Sequence, residues 1–168
     1  SIYMYADDTK IFRAVSGDAD TAQLQADLDA AVAWSLRWQL HFNETKCKVM
    51  EIAGKKKDKV NRTYLMGDGD NIVELENSDE ERDLGILVDR TLSFNGHIEK
   101  AIAKANQILG LIKRTLVYFD RDTLKLLYCS LVRPHLEYAN VVWHPQYKKH
   151  IKLLEGVQRR ATRLLPMV

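Results

Sequence analysis

The residues best placed to do chemistry are two adjacent acids, Asp7 and Asp8, set between Ile2-Tyr3-Met4-Tyr5-Ala6 and Thr9-Lys10-Ile11-Phe12. Both flanks are apolar and β-prone, so the stretch is expected to form a hairpin with the acids at its tip. Adjacent carboxylates repel, and a turn that fixes them side by side suits a shared cation. Mg²⁺ takes hard oxygen donors, often one or two carboxylates plus the phosphates of a substrate. In two-metal phosphoryl transfer the ions sit ~4 Å apart and clamp the attacking and leaving oxygens. The plainer alternative is a solvated Asp-Asp turn.

The tetrapeptide Tyr5-Ala6-Asp7-Asp8 resembles the catalytic Tyr-x-Asp-Asp box of reverse transcriptases. Four further stretches resemble the end of the palm and the thumb of LINE-type (non-LTR) retrotransposon polymerases, above all the jockey and chicken-repeat branches. They are Trp38-Gln39-Leu40-His41-Phe42-Asn43 with Lys46-Cys47-Lys48-Val49, Asp83-Leu84-Gly85-Ile86-Leu87-Val88-Asp89, Leu131-Val132-Arg133-Pro134-His135-Leu136-Glu137-Tyr138, and Leu154-Glu155-Gly156-Val157-Gln158-Arg159-Arg160-Ala161-Thr162. They occur in the family's order and cover nearly the whole chain.

The elements that must position these residues follow from composition and periodicity. With 168 residues, 46% of them apolar and 29% charged, the chain can bury a core as one domain or two small ones. Its apolar runs are short of a membrane span, and no signal pattern is read. Cys47 and Cys129 are too few for a disulfide framework and lack metal-ligand spacing, so they read as reduced thiols. The net charge of +2 hides a division: residues 1–94 hold 12 Lys/Arg against 18 Asp/Glu, and residues 95–168 hold 13 against 5. An acidic part suits cations and a basic part suits phosphates, though a basic helical region can also be a solvated face.

After the hairpin, Asp20 and Gln23 have capping-box spacing. Leu24, Leu28, Val32 and the Trp34/Leu36/Trp38 group then form a helical stripe to about Leu40, with the tryptophans expected in the core and Gln25, Asp27, Asp29 and Arg37 facing solvent. Lys48 to Ala53 reads as a strand, and Gly54 to Lys59 as a charged loop. Gly67-Asp68-Gly69-Asp70 is a hairpin turn without the spaced ligands of an EF-hand. Glu74 to Asp83 is acidic and expected to be exposed. Leu84 to Val88 reads as a buried strand. Asn95 can cap a helix carrying Ile98, Ile102, Ala105, Leu109, Ile112 and Leu116. Asp120 starts another, with Leu124, Leu127, Tyr128 and Leu131 on one side, which Pro134 ends or kinks. A short helix is expected within Leu136 to Trp143. The last helix, about Lys148 to Leu165, is expected to bury Ile151, Leu154, Val157, Ala161 and Leu164. The fold class is therefore α+β. The resemblance divides it into the end of a palm at 1–94, antiparallel strands plus a helix, and an all-helical thumb at 95–168.

The resemblance also implies an activity, RNA-directed DNA polymerisation. A primer 3′-hydroxyl attacks the α-phosphate of a deoxynucleoside triphosphate and releases pyrophosphate. Asp7 and Asp8 would be catalytic and would help hold two Mg²⁺ ions. Lys46 would lie near the leaving phosphates, the alternative being a strand-edge lysine close enough to Lys48 to be confused with it. Leu84, Gly85 and Ile86 resemble the primer grip. A glycine there permits close backbone approach or marks a strand kink. Lys100, Lys104, Arg114, Lys149, Lys152, Arg159, Arg160 and Arg163 would follow the phosphates of an RNA template–DNA primer duplex. The implied setting is intracellular, in nucleus and cytoplasm as a ribonucleoprotein, with no membrane. The fingers and the earlier palm aspartate of such enzymes have no counterpart, so the chain reads as a fragment of a larger polypeptide or a decayed copy, inactive alone. Two alternatives stand beside this: a non-catalytic nucleic-acid-binding remnant, and a purely structural helical domain.

Overall fold

A computed structural model describes residues 1–54, 62–69, 71–116 and 120–164. The expected loop at Gly54 to Lys59 falls outside them apart from Gly54, as does Asp70. The chain forms two compact units, Ser1–Asp79 and Glu80–Val168. The charge reverses near residue 94, but contacts divide the chain earlier. The hairpin that follows Asp79 packs with the helices instead of with the preceding strands.

In the first unit, β1 (Ile2–Tyr5) and β2 (Asp8–Ile11) pair antiparallel from Ile2↔Ile11 to Tyr5↔Asp8. Helix α1 (Asp18–Arg37) starts ahead of the expected cap. Gly17 is the N-cap, and Asp20, now in the first turn, reaches back to accept from the Ser16 amide at 2.8 Å. Leu24, Leu28 and Val32 pack on Tyr64, Met66 and Leu75. Gln25, expected in solvent, instead pairs with the edge of β4 (Leu65–Asp68): its Nε2 donates to the Leu65 carbonyl at 2.8 Å and its Oε1 accepts from the Leu65 amide at 2.9 Å. Asp27, also expected in solvent, pairs with Arg13 at 3.1 Å. The tryptophan expectation is corrected as well, since Trp34 is 44% and Trp38 60% exposed at the helix's last turn. β4 forms a hairpin with β5 (Asn71–Glu74). The strand after Lys46 is only β3 (Lys48–Val49), paired parallel with β6 (Glu76–Asn77).

In the second unit, β7 (Glu80–Asp83) and β8 (Ile86–Asp89) form a hairpin. Leu84 and Gly85 make its turn, so the expected strand begins two residues late. Helix α2 (Asn95–Thr115) buries Ile98, Ala105, Leu109 and Ile112, as its spacing indicates. Its entry is built by Asp89, whose carboxylate accepts from the amides of Thr91 (2.9 Å), Ser93 (3.1 Å) and Phe94 (2.6 Å) and from both hydroxyls. Phe94, in the left-handed region, is the N-cap in place of Asn95.

Asp120 caps α3 (Arg121–Leu127) by accepting from the Thr123 amide at 2.7 Å. A π-turn over Tyr128–Val132 follows, then α4 (Arg133–Glu137). Pro134 has no N–H to give the carbonyl four residues back, and its ring crowds that carbonyl, so the helix widens there instead of stopping. The wider turn advances the buried side by one residue: Val132 is fully buried and Leu131 is exposed, the reverse of the α-helical spacing. After α5 (Asn140–Trp143), α6 (Lys148–Thr162) buries His150, Val157 and Ala161 with Leu154 half-buried, while Ile151 is exposed. Val157 joins Ala105, Ile112 and Val132 in one core cluster, and Trp143 joins Ile86 and Ile98 in another.

Candidate nucleic-acid and metal site

Four features hold the candidate residues, the first being the tip of the β1–β2 hairpin. Tyr5 and Asp8 are its closing pair, leaving Ala6 and Asp7 as a two-residue turn. Ala6 holds φ 52°, a left-handed conformation that costs a residue with a Cβ about 1–2 kcal/mol. Strain of this kind persists only where neighbours enforce it. Here the enforcing contacts include stacking of Tyr3 on Phe12 with centroids 5.2 Å apart and the Phe12 amide bonded to the Ser1 carbonyl at 3.0 Å. Asp7 and Asp8 are both exposed, side by side. Two exposed carboxylates are a donor set that fits part of a Mg²⁺ shell, the rest coming from water and phosphate. Among the described residues no group of three His, Cys, Asp or Glu gathers around a common point.

Lys46 ends a single 3₁₀ turn, Glu44–Lys46, with its side chain exposed. No hydrogen bond or ion pair joins it to Asp7 or Asp8. Lys48 pairs with Glu76 at 3.6 Å across β3 and β6, which distinguishes the two neighbouring lysines.

At the β7–β8 turn, Leu84 (φ 44°) and Gly85 (φ 85°) are both left-handed, as a two-residue hairpin of the I′ kind requires. Gly85 is exposed, with the Tyr138 ring beside it. A Cβ on it would lie 3.4 Å from the Tyr138 ring, and the Tyr138 hydroxyl donates to the Leu84 carbonyl at 2.9 Å. Ile86 is buried in the core and presents nothing to a ligand. Of the three primer-grip-like residues, only Leu84 and Gly85 stand at the surface.

The cations separate into two sets. Lys100 pairs with Glu80 at 3.5 Å, and Lys104 donates to Gln107 at 3.4 Å. Arg159 pairs with Glu155 at 3.7 Å, and Arg160 donates to Asn106 at 3.0 Å, tying α6 to α2. Arg114, Lys149, Lys152 and Arg163 are exposed and have no ion pair among the described residues. Of the eight cations singled out from the sequence, these four are the ones left without an ion pair or a side-chain hydrogen bond among the described residues.

Sequence reasoning missed three residues. Asp89 was signalled by the hydroxyls at Thr91 and Ser93, a spacing suited to side chain–backbone turns. Its burial opposes ionisation, but the hydrogen bonds from Thr91, Ser93 and Phe94 outweigh it and hold the carboxyl at about 2. His150 was signalled by its place four and seven residues ahead of Leu154 and Val157. It is 1% exposed with neither ring nitrogen hydrogen-bonded, and burial, then Lys149, pushes its ring below the ordinary imidazole range. Tyr138 closes the resemblance stretch Leu131 to Tyr138, but nothing there signalled its partner 54 residues away.

No helix among the described residues is long and apolar enough to cross a membrane. No family model matches the chain, and no solved structure matches it. The chain is 26% identical over 170 aligned positions to an RNA-directed DNA polymerase from the mobile element jockey of Drosophila funebris. The match covers 96% of this chain and 18% of that protein, so the chain spans under a fifth of its relative's length. That similarity supports a reverse-transcriptase-related origin for the chain.

Proposed function

We propose that this chain is part of the RNA-directed DNA polymerase of a LINE-type retrotransposon, comprising the end of the palm and a thumb. The observation that carries the reading is the placement of Asp7 and Asp8 at the tip of a tight two-residue hairpin within Tyr5-Ala6-Asp7-Asp8. The distant similarity to a mobile-element polymerase supports it. Asp7 and Asp8 would hold Mg²⁺, which when bound neutralises charge on the reacting phosphates. Lys46 would supply a cation near the triphosphate, and the Leu84–Gly85 turn would support the primer end. Arg114, Lys149, Lys152 and Arg163 would hold the RNA–DNA duplex through its phosphates, without reading sequence. Partners are then RNA template, DNA primer, deoxynucleoside triphosphates and the remainder of the polymerase, in a ribonucleoprotein of nucleus and cytoplasm.

A second reading is a non-catalytic nucleic-acid-binding module, favoured by the exposed Arg114, Lys149, Lys152 and Arg163, unpaired among the described residues, which can meet phosphates without a metal. One titration tests both. A labelled RNA–DNA hybrid is bound across a salt series, with and without Mg²⁺, by the chain and by its Asp7→Ala/Asp8→Ala variant. The polymerase reading expects salt-sensitive binding and a Mg²⁺ response that the variant loses. The module reading expects binding indifferent to both acids. No binding at low salt refutes both.

A further inference from the structure

The first turn of α6 runs against the usual make-up of a helix start. That end of a helix carries partial positive charge, so acids stabilise it and cations belong at the other end. Here Lys148, Lys149 and His150 open the helix with no acid among them, and Tyr147, its N-cap, gives no side-chain capping hydrogen bond. Local sequence therefore does not hold this turn, and tertiary contact must.

His150 makes that contact. It is 1% exposed on a helix that packs against α2, and its ring meets that of Tyr147 edge to face with centroids 5.8 Å apart. Lys148 and Lys149 beside it are exposed. Farther along, Val157 and Ala161 are buried and Arg160 is bonded to Asn106 of α2, so the rest of the helix has anchors of its own. Neither nitrogen of the His150 ring has a hydrogen-bond partner. The neutral ring leaves one N–H unmatched there. A protonated ring would leave two and would carry a charge away from water. Two charged groups act on it: Lys149 of its own helix opposes the proton, and Glu99 of α2 favours it less strongly, without a hydrogen bond to the ring. The site therefore suits neutral histidine alone.

We infer that the seating of the first turn of α6 is proton-sensitive: neutral His150 holds residues 147–151 in place, and its protonation releases them while Val157 and Ala161 keep the remainder docked. A released ring takes the proton near the ordinary imidazole value of 6.5. The turn is thus seated at neutral pH and opens progressively below that value. Lys149 lies in the released turn, so mild acid changes how that cation is presented without unfolding the unit.

The test is native-state hydrogen exchange of the whole chain at about pH 7.5, 6.5 and 5.5, each with and without a low concentration of urea. Rates are read as protection factors, which removes the ordinary pH dependence of exchange. The reporters are the amides at positions 150 and 151, both bonded to the Tyr147 carbonyl, and those of Ala105 and Leu109 in α2. The amides at 150 and 151 should exchange by an opening nearly indifferent to urea, whereas Ala105 and Leu109 should respond steeply. From about pH 7.5 to 5.5 the protection at 150 and 151 should fall several-fold, up to about tenfold. His150→Leu should abolish that fall. Lys148→Glu/Lys149→Glu, at two exposed positions, should instead raise protection at 150 and 151 at every pH. The inference is overturned if protection there is independent of pH, if it falls equally in His150→Leu, or if the charge reversal leaves it unchanged. It is overturned as well if those amides share the urea dependence of Ala105 and Leu109, since the turn then opens only with the whole unit. Amides unprotected at every pH overturn it too, because the turn is then never seated.

Discussion

Removing the Asp89 carboxylate should unfasten the entry to α2. The side chain accepts three backbone amides and two hydroxyls, and it holds a loop in which Leu92 (φ 51°) and Phe94 (φ 53°) are both left-handed. A hydrogen bond to a charged acceptor contributes about 1.5–3 kcal/mol, but bonds sharing one carboxylate are not additive and the half-buried site lets water replace some. A loss of about 2–4 kcal/mol for Asp89→Ala follows. The shift from 3.8 to about 2 is a second measure. It is equivalent to about 2 kcal/mol, reduced to about 1–2 kcal/mol by solvent screening, and this is the charge-dependent part that Asp89→Asn should lose.

The sign is fixed by the direction of the shift. A carboxyl depressed in the folded state contributes fully above the unfolded value near 3.8 and loses that contribution as pH falls through about 2. The gap in stability between wild type and Asp89→Asn should thus be constant from pH 7 to about 4 and close toward pH 2. Urea denaturation can follow it through Trp143 fluorescence in a Trp34→Phe/Trp38→Phe background, since those two indoles are exposed and Trp143 is buried beside α2. With a slope of about 1–2 kcal/mol/M, Asp89→Ala should lower the midpoint by roughly 1–4 M. A shift within the error of measurement, or a gap that does not narrow in acid, would refute the account of this loop.

His150→Leu should stabilise the chain by about 1–2 kcal/mol, because it replaces a buried ring with no hydrogen-bond partner by an apolar side chain on the same stripe. The wild type should also lose stability as pH falls below about 6.5, where the unfolded chain binds the proton first. The variant should lose only the part due to His97, whose ring is likewise lowered, by burial and then Arg82. Thermal melts at pH 7.5 and 5.5 read both effects. Gly85→Ala should cost about 1–2 kcal/mol by urea denaturation, from its φ of 85° alone, since the Tyr138 ring 3.4 Å from the new Cβ is at ordinary contact distance. Replacing Lys149, Lys152 and Arg163 with glutamine should flatten the salt dependence of hybrid binding by about 2–3 logarithmic units per tenfold change in salt. Arg160→Gln should instead lower the melting temperature, because Arg160 is committed to Asn106.

How far the sequence can be read depends on whether one element or two decide a residue's place. The stripe of α2 was legible because an unbroken α-helix repeats its buried side at a constant angle, and Ile98, Ala105, Leu109 and Ile112 obey it. The acidic hairpin was legible for a similar reason: its pairing is local and its turn falls between two β-prone runs. In the helix ahead of Pro134 the same arithmetic fails by one residue, exchanging Leu131 for Val132, because a single π-turn inserts the extra residue. At α6 it fails because hydropathy ranks Ile151 above His150, whereas the stripe through Leu154, Val157 and Ala161 puts position 150 on the inside. Gln25 and Tyr138 show a harder limit. Each is an ordinary polar or aromatic residue in its own segment, and its role comes from a backbone group in another: the Leu65 amide and carbonyl, and the Leu84 carbonyl. Motif resemblance led to the Leu84–Gly85 turn and offered its glycine either as a place of close backbone approach or as a strand kink, but it gave no hint of the Tyr138 ring that a distant segment brings beside it.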